Sequence, residues 1–319
     1  MENSLFTIFA NRYIDRLRSE GRHSTAHVYK NALRSFTIFC DTPVVSFGQV
    51  TRESLRRYNN YLTACRLKLN SISTYMRMLR CIYNQGVDAG VAPFVHRLFR
   101  DVFTGVDTRH KKAIPVAELH KLLYTDPKSE KLRRTQALAN LMFQFCGMPF
   151  ADLVHLEKSN LQQGILTYNR IKTGTPMILE VMDASAKIIG RLCGKHSAAH
   201  AAGCPDYLFD ILSGQHKRSE KQAFIEYQSA LRSFNNQLKS LSRKLFLRSS
   251  VTSYTLRHSW ATTAKYRGVP IEMISESLGH QSIKTTQIYL KGFELTDRTK
   301  VNKQNYSYVK NMRLSDCLT

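Results

Sequence analysis

The 319-residue sequence lacks the features that mark membrane, secreted and disulfide-rich proteins. No stretch approaches the roughly 18 consecutive apolar residues of a membrane-spanning helix. Its first residues show no basic segment followed by a long apolar region, so we expect no secretory signal. The seven cysteines are odd in number and include no CxxC pair. This cysteine usage favours reduced thiols and a cytoplasmic location.

One short segment contains residue types that can bind zinc. Cys193, His196, His200 and Cys204 provide four candidate ligands. Their spacing matches no zinc-finger pattern, and the residues between them are typical of a loop. We therefore predict no metal site, and no other cofactor.

Acidic residues are scarce, with 24 Asp and Glu against 47 Lys and Arg, which gives a net charge of +23. The excess is spread along the chain: residues 1–111 hold 17 basic and 8 acidic residues (+9), and the remainder holds 30 and 16 (+14). A charged tail would concentrate the excess in one block. A chain that is basic in both halves favours a polyanionic partner, and nucleic acid is the obvious candidate.

The first hundred residues follow a helical pattern. Apolar residues recur at helical spacing in four stretches, and Thr51 is placed to cap the third helix. The predicted outer faces are rich in arginine, whose planar fork suits phosphate. We therefore predict that this module contacts DNA through five arginines: Arg52, Arg56, Arg57, Arg77 and Arg80.

The rest of the sequence predicts a second domain. Residues 104–115 form a basic linker, in which Lys111 and Lys112 are further candidates for DNA contact. Helical patterns resume at about residue 116, and two strands are joined by the turn sequence KTGTP. The predicted fold is mainly α, or α+β, with a four-helix domain over 1–103 and a mostly helical domain with a small antiparallel β-sheet over 116–319, including a C-terminal tail.

The most informative motifs lie between Ser253 and Gly292. They are LRHSWAT at 256–262, LGH at 278–280 and a tyrosine at 289. This pattern resembles the phage integrase, or tyrosine recombinase, family, whose box H-x-L-R-H-[ST]-[FW]-A-T is followed by LGH and a tyrosine nine residues after that histidine. YNRIKTG at 168–174 resembles the hairpin with the family's catalytic lysine. CGMPFADLVHL at 146–156 resembles the first box, and residues 1–103 resemble the SAM-like core-binding domain.

The resemblance implies a phosphodiester exchange, which needs a nucleophile, donors to the phosphate oxygens and a proton for the leaving oxygen. Tyr289 would attack and form a 3′-phosphotyrosyl link. Arg257 would hold two non-bridging oxygens, and His280 would donate a further hydrogen bond. Lys172 would act as the general acid toward the leaving 5′-oxygen.

Two positions depart from the family pattern. Tyr254 stands where the second box begins with histidine, and a tyrosine can still donate to phosphate. Pro149 stands where the first box has a catalytic arginine, and loss of one such donor costs roughly 3–4 kcal/mol. Arg170 lies two residues before Lys172 on a predicted strand, so both would face the same side. Arg170 is thus a candidate for the missing guanidinium; a DNA-backbone contact or a position in solvent is the alternative.

By resemblance, the chain is expected to be a nucleoid-associated recombinase that integrates, excises or inverts DNA. It would bind inverted half-sites, assemble as a homotetramer and exchange strands through a Holliday junction. The single module before the catalytic domain favours the invertase-like or transposon-integrase-like branch, among mobile elements. Two alternatives stay open. Pro149 supports a catalytically silent DNA-binding relative, and the same nucleophile would serve a monomeric type IB topoisomerase-like nicking and relaxing enzyme.

Overall fold

The computed structural model describes residues 5–107, 113–193, 206–214, 220–290, 299–300 and 302–307. Helices dominate, and one small antiparallel sheet is present, which confirms the predicted fold class. The chain divides into two compact units, with the main boundary inside the gap at 108–112. Within the described ranges, no helix has both the length and the apolar character needed to cross a membrane.

The first unit is built on the four predicted helices, which are α1 (Phe6–Ser19), α2 (His23–Phe39), α3 (Arg52–Ala64) and α4 (Leu69–Asp88). Each helix buries one apolar face in a shared core rich in aromatic side chains, including Phe6, Phe36, Phe47 and Tyr58. Thr51 caps α3 as predicted, since its Oγ1 accepts from the backbone N–H of Ser54 at 3.1 Å. The sequence pattern and the cap therefore agree on where these helices lie.

The second unit begins with α5 (Val116–Tyr124), α6 (Glu130–Gln144) and the short α7 (Phe150–Val154). Three antiparallel strands follow in the order β1-β2-β3, namely β1 (Leu161–Gln162), β2 (Ile165–Asn169) and β3 (Pro176–Glu180). The sequence predicted β2 and β3 but missed β1, because two residues are too few to show an alternating pattern.

Five further helices complete the described order: α8 (Asp183–Leu192), α9 (Glu220–Lys244), α10 (Ser253–Tyr266), α11 (Ile271–Ser277) and α12 (Ile283–Tyr289). Helix α9 belongs to both units, with the division after Ala230. Helix α10 holds the motif LRHSWAT, the motif LGH lies between α11 and α12, and Tyr289 ends α12. Contacts of α10 with α11 and of α11 with α12 bring these motifs together in the second unit.

Candidate active site

Arg257 lies in the second turn of α10 and is almost fully buried, with 3% of its surface exposed. Its Nη1 donates to the carbonyl oxygen of Gly147 at 3.1 Å, and its Nη2 donates to that of Leu278. Gly147 belongs to the loop between α6 and α7. Leu278 follows α11, at a helix end where carbonyls lack intrahelical partners. The guanidinium of Arg257 therefore links α10 to the loop between α6 and α7 and to the end of α11.

Arg170 reaches the same point from the sheet. Its Nη1 donates to the carbonyl oxygens of Leu278 at 2.7 Å and Gly279 at 3.2 Å, so the Leu278 carbonyl accepts from both arginines. Its Nε donates to Oδ2 of Asp152 at 3.2 Å, in an ion pair whose side chains are 7% and 2% exposed. Arg170 is thus not in solvent. These contacts engage Nε and Nη1, which leaves Nη2 as a donor for an incoming anion.

Asp152 is a site residue that the sequence reasoning missed. It lies in α7, where Oδ2 accepts from Arg170 and Oδ1 accepts from the backbone N–H of Ile171 at 3.1 Å. A buried carboxylate needs a cation and hydrogen bonds to offset its lost hydration. The sequence did contain a signal for this role, because Asp152 is the single acidic residue inside the apolar run FADLV. An acidic residue that is buried is almost always paired, so its position implied a partner.

The turn between β2 and β3 carries Lys172, whose side chain is exposed. Strand β2 ends at Asn169, so the prediction that Arg170 and Lys172 lie on one strand and face the same side is wrong. Both residues lie in the turn, where the period of two no longer applies. The turn places Arg170 in the interior and Lys172 at the surface.

Two side chains fasten this turn to the segment that follows α11. Gln281 donates from Nε2 to the carbonyl oxygen of Thr173 at 3.1 Å. Thr175 donates from Oγ1 to the carbonyl oxygen of Gly279 at 3.5 Å. The position of Lys172 is therefore set by the same segment that holds both arginines.

His280 follows directly, and its imidazole is surrounded by cations. Burial, and then the positive charges of Arg257, Arg170 and Lys172, lower the pKa of His280 to about 4. The imidazole is neutral at neutral pH, so it carries a single N–H. Nδ1 lies 2.9 Å from Oγ1 of Thr286, which is fully buried. If the Thr286 hydroxyl donates to Nδ1, the proton of the imidazole is on Nε2.

Thr286 lies on α12, so its hydrogen bond to His280 ties this helix to the site. Tyr289 ends this helix, one turn after Thr286. The side chain of Tyr289 lies outside the described residues. Thr286 was also missed from the sequence, because a threonine in a helix is more often a surface residue than a partner of a histidine.

Two glycines allow the close packing around the arginines. Gly147 has φ +67°, and a Cβ there would lie 3.0 Å from the Cα of Arg257. Gly279 has φ +61°, and a Cβ there would lie 2.5 Å from the Cδ of Arg170. The backbone of Cys146 is also in the left-handed conformation, with φ 52°. Cys146 and Gly147 together reverse the chain direction, so that the carbonyl oxygen of Gly147 points toward Arg257. Positions 147 and 279 each require a positive φ and the absence of a Cβ atom, and only glycine provides both.

The remaining positions of the sequence argument fall near the same elements. Pro149 is the N-cap of α7, one turn before Asp152. Tyr254 lies in the first turn of α10, three residues before Arg257, and 48% of its surface is exposed. Tyr168 on β2 is buried, and burial raises the pKa of its hydroxyl. Tyr168 is therefore inaccessible and a poor nucleophile.

The predicted DNA-binding arginines lie on α3 and α4 of the first unit. Arg56 and Arg57 are exposed. Arg52 and Arg80 are exposed, and each donates to an oxygen of its own unit. Arg77 is half-buried, with Nη2 3.4 Å from a hydroxyl oxygen one turn away. Four of the five guanidiniums are thus accessible to a phosphate.

Some residues named in the sequence argument lie outside the described residues: Lys111, Lys112, His196, His200 and Cys204. Cys193 is described, and its Sγ donates to the carbonyl oxygen of Leu208 at 3.3 Å. Among the residues that the structure covers, no three His, Cys, Asp or Glu side chains are grouped to hold a metal ion.

Two family models match the sequence. The phage integrase SAM-like domain matches residues 5–96, and the phage integrase family matches residues 112–294. A curated relative is the tyrosine recombinase XerA of Pyrococcus furiosus. It is 26% identical over 264 residues, which cover 82% of this chain and 84% of the relative.

Solved integrases have a similar fold. The Tn1549 transposon integrase in complex with circular intermediate DNA matches with a TM-score of 0.64 and 13% identity, over 94% of this chain and 99% of that chain. The lambda integrase tetramer bound to a Holliday junction matches with a TM-score of 0.60 and 15% identity, over 92% and 80%. The phage integrase model covers more than half of the sequence, and so the chain belongs to the phage integrase family and is a tyrosine-type site-specific DNA recombinase.

Proposed function

We propose that this recombinase cleaves a DNA strand by attack of the Tyr289 hydroxyl oxygen on the scissile phosphorus. The attack forms a 3′-phosphotyrosyl bond, releases the phenolic proton of Tyr289 to solvent and breaks the bond from phosphorus to the 5′-oxygen, which leaves as a 5′-hydroxyl. Lys172, exposed on its turn, supplies the proton to the leaving oxygen. Attack by the 5′-hydroxyl of another strand reverses the step, so the bond is exchanged and no nucleotide cofactor is consumed.

The observation that supports this chemistry is the pair of guanidiniums on the Leu278 carbonyl, beside a neutral imidazole. A phosphoryl transition state spreads negative charge over its non-bridging oxygens, and fixed donors stabilise that charge without reorganisation. Arg257 and Arg170 supply two planar forks. His280 donates from Nε2, with Thr286 on its other nitrogen. Tyr254, exposed near Arg257, is a further donor to the phosphate.

Within this proposal, Arg170 replaces the arginine that Pro149 removes from the first box. Asp152 supports the replacement, because it lies one turn after Pro149 and forms an ion pair with Arg170. The guanidinium therefore reaches the region of the first box from the turn after β2 and not from α7. The proposed site therefore keeps a second guanidinium, which comes from position 170 and not from position 149.

The test of Arg170 is strand cleavage by Arg170→Ala and Arg170→Lys. The alanine variant should lose roughly 100- to 1,000-fold in cleavage. It also leaves Asp152 buried and unpaired, which costs about 3–5 kcal/mol of stability. Arg170→Lys keeps that charge pair but loses the fork, so it should fold and still cleave at least about 10-fold more slowly.

A rescue variant separates catalysis from folding. Adding Pro149→Arg to Arg170→Lys returns a guanidinium to the first-box position and should recover part of the lost cleavage. Pro149→Arg in the wild-type background is the matched control and should gain little. A folded Arg170→Lys protein that cleaves within a few-fold of wild type would remove Arg170 from the mechanism.

We further propose residues 1–103 as the core-binding domain, 104–115 as a linker and 116–319 as the catalytic domain with its tail. We also propose that the chain binds inverted half-sites and assembles as a homotetramer; the lambda integrase, solved as a tetramer bound to a Holliday junction, supports the tetramer. We place the chain in the transposon-integrase-like or invertase-like branch, acting on mobile DNA at the cytoplasmic nucleoid; the likeness to the Tn1549 transposon integrase supports the transposon-integrase-like part of this proposal.

A plasmid assay tests the outcome. Two copies of the sequence that flanks this coding region are placed in direct or inverted orientation on a supercoiled plasmid. A recombinase excises the segment between direct copies and inverts the segment between inverted copies. Relaxation of the plasmid without exchange would favour the topoisomerase-like alternative, and binding without cleavage would favour the catalytically silent one. The comparisons support neither alternative.

A further inference from the structure

Phe246 is the most exposed of the large hydrophobic side chains that the structure describes, with 90% of its surface accessible. It follows α9 by two residues in the second unit. A single exposed hydrophobic residue is common and needs no explanation by itself. The backbone of Phe246 provides a second and independent observation.

Phe246 adopts a left-handed conformation, with φ 54°. Its N–H donates to the carbonyl oxygen of Arg243 at 3.1 Å, and the N–H of Leu247 donates to that of Ser242 at 2.9 Å. This pair of bonds is the Schellman motif, in which the left-handed position is usually glycine. A bulky residue is strained there. Both the backbone and the side chain of Phe246 are therefore unfavourable for folding, and such positions concentrate at functional sites.

The charges around Phe246 indicate the kind of partner. Arg243, Lys244 and Arg248 are all exposed, and residues 243–250 include no acidic residue. One carboxylate touches the segment: Glu118, which is half-buried, accepts from the backbone N–H of Ser249 at 3.2 Å. An aromatic ring among three exposed cations is complementary to nucleic acid, which offers phosphates and apolar base faces together.

The segment leads directly into the active site. Val251 is fully buried, and the backbone N–H of Ser253 donates to Oδ1 of Asn235 at 2.8 Å, which anchors the start of α10 against α9. Ser253 follows Phe246 by seven residues, so Phe246 lies at most about 25 Å from this first residue of α10, one turn before Arg257. That distance corresponds to about seven base pairs of duplex. Phe246 can therefore contact the duplex that Arg257 engages.

We propose that Phe246 is a DNA-contacting wedge, whose ring enters the minor groove near the cleaved phosphate and partly unstacks one base step. Arg243, Lys244 and Arg248 contact the flanking phosphates. Apolar wedges of this kind are a known way to bend a duplex. The inference rests on the proposed DNA cleavage, and it adds a contact outside the cleavage chemistry.

The test compares three substitutions on the duplex that wild type cleaves. Phe246→Ala should weaken binding roughly 5- to 150-fold, the range for loss of one base–aromatic contact. Because the ring is uncharged, the slope of log Kd against log salt should not change. Arg248→Ala should instead reduce that slope by about 0.9. Val116→Ala, at a residue 64% exposed in the same unit, is the matched control and should change neither quantity.

Base unstacking is measured with 2-aminopurine placed at each position within seven base pairs of the cleaved bond. Wild type should raise the fluorescence at one step, and Phe246→Ala should not. Phe246→Gly should bind DNA as weakly as Phe246→Ala, yet melt roughly 2–4 °C higher than wild type, because glycine relieves the left-handed strain.

Wild-type affinity in Phe246→Ala, together with unchanged fluorescence, would overturn the wedge while leaving the proposed cleavage intact. Normal half-site binding with lost tetramer assembly would also overturn it, because the ring would then contact protein. A wild-type chain that neither binds nor cleaves DNA would instead overturn the proposed function, and the wedge with it.

Discussion

Arg170 and Arg257 place two positive charges on the Leu278 carbonyl, although like charges repel. The carboxylate of Asp152 and the carbonyls at the end of α11 offset this repulsion. The concentration of positive charge has a measurable effect on His280, whose pKa is lowered by burial and by the neighbouring cations. In the proposed function, these donors and positive charges are already in place for a phosphate before DNA binds.

The lowered pKa of His280 can be measured directly. NMR titration of the free protein should give a midpoint at about 4, well below the ordinary value of 6.5. Lys172→Ala should raise the midpoint, because it removes one of the cations that disfavour protonation. Lys158→Ala is the matched control, since Lys158 is not among the charges that act on His280. A midpoint near 6.5 in wild type would contradict the described cluster.

The lowered pKa of His280 also makes the free energy of unfolding depend on pH. A histidine with a lowered folded pKa contributes stability that is fully present above pH 6.5 and is lost as the pH falls toward 4, because the unfolded chain binds the proton more readily. His280→Asn should flatten the pH dependence of the unfolding free energy in that window. A dependence equal to that of wild type would show that His280 titrates normally.

At the scale of elements, the segment from the end of α11 to the start of α12 organises the site. It accepts hydrogen bonds from both arginines, fastens the turn with Lys172 and presents His280 to Thr286. Sequence periodicity predicted the helices and the hairpin, since each depends on local spacing. It misplaced Arg170 on a strand and missed Asp152 and Thr286, because those roles depend on which side chains meet across elements.

Gly279 tests the role of this segment. Gly279→Ala should displace Arg170, since the new methyl group would lie 2.5 Å from its Cδ. We expect cleavage to fall roughly as far as in Arg170→Ala, about 100-fold, with DNA binding less affected. Gly164→Ala is the matched control, because Gly164 has φ +78° and open space around its Cα. Both variants share the backbone strain of about 1–2 kcal/mol. Equal cleavage by the two variants would show that the collision has no effect.

For the whole molecule, the net charge of +23 is spread over both parts of the sequence, which favours a polyanionic partner. The family was predictable because LRHSWAT, LGH and Tyr289 occur in order at fixed spacing, and the family models confirm it. From the sequence, Arg170 could be named only as a candidate for the second guanidinium. Its support comes from the ion pair with Asp152, which joins residues 18 positions apart in the sequence.

The central claim is that Tyr289 forms a covalent bond with DNA, and covalent trapping tests it most directly. Wild type and Tyr289→Phe are incubated with nicked suicide duplexes drawn from the flanking sequence, denatured and separated by size. Tyr168→Phe and Tyr124→Phe, one buried and one exposed tyrosine outside the proposed machinery, serve as matched tyrosine controls. We expect a protein–DNA adduct with wild type and both controls, and none with Tyr289→Phe. An adduct that persists in Tyr289→Phe, or wild type that binds its confirmed site without any adduct, would contradict the claim.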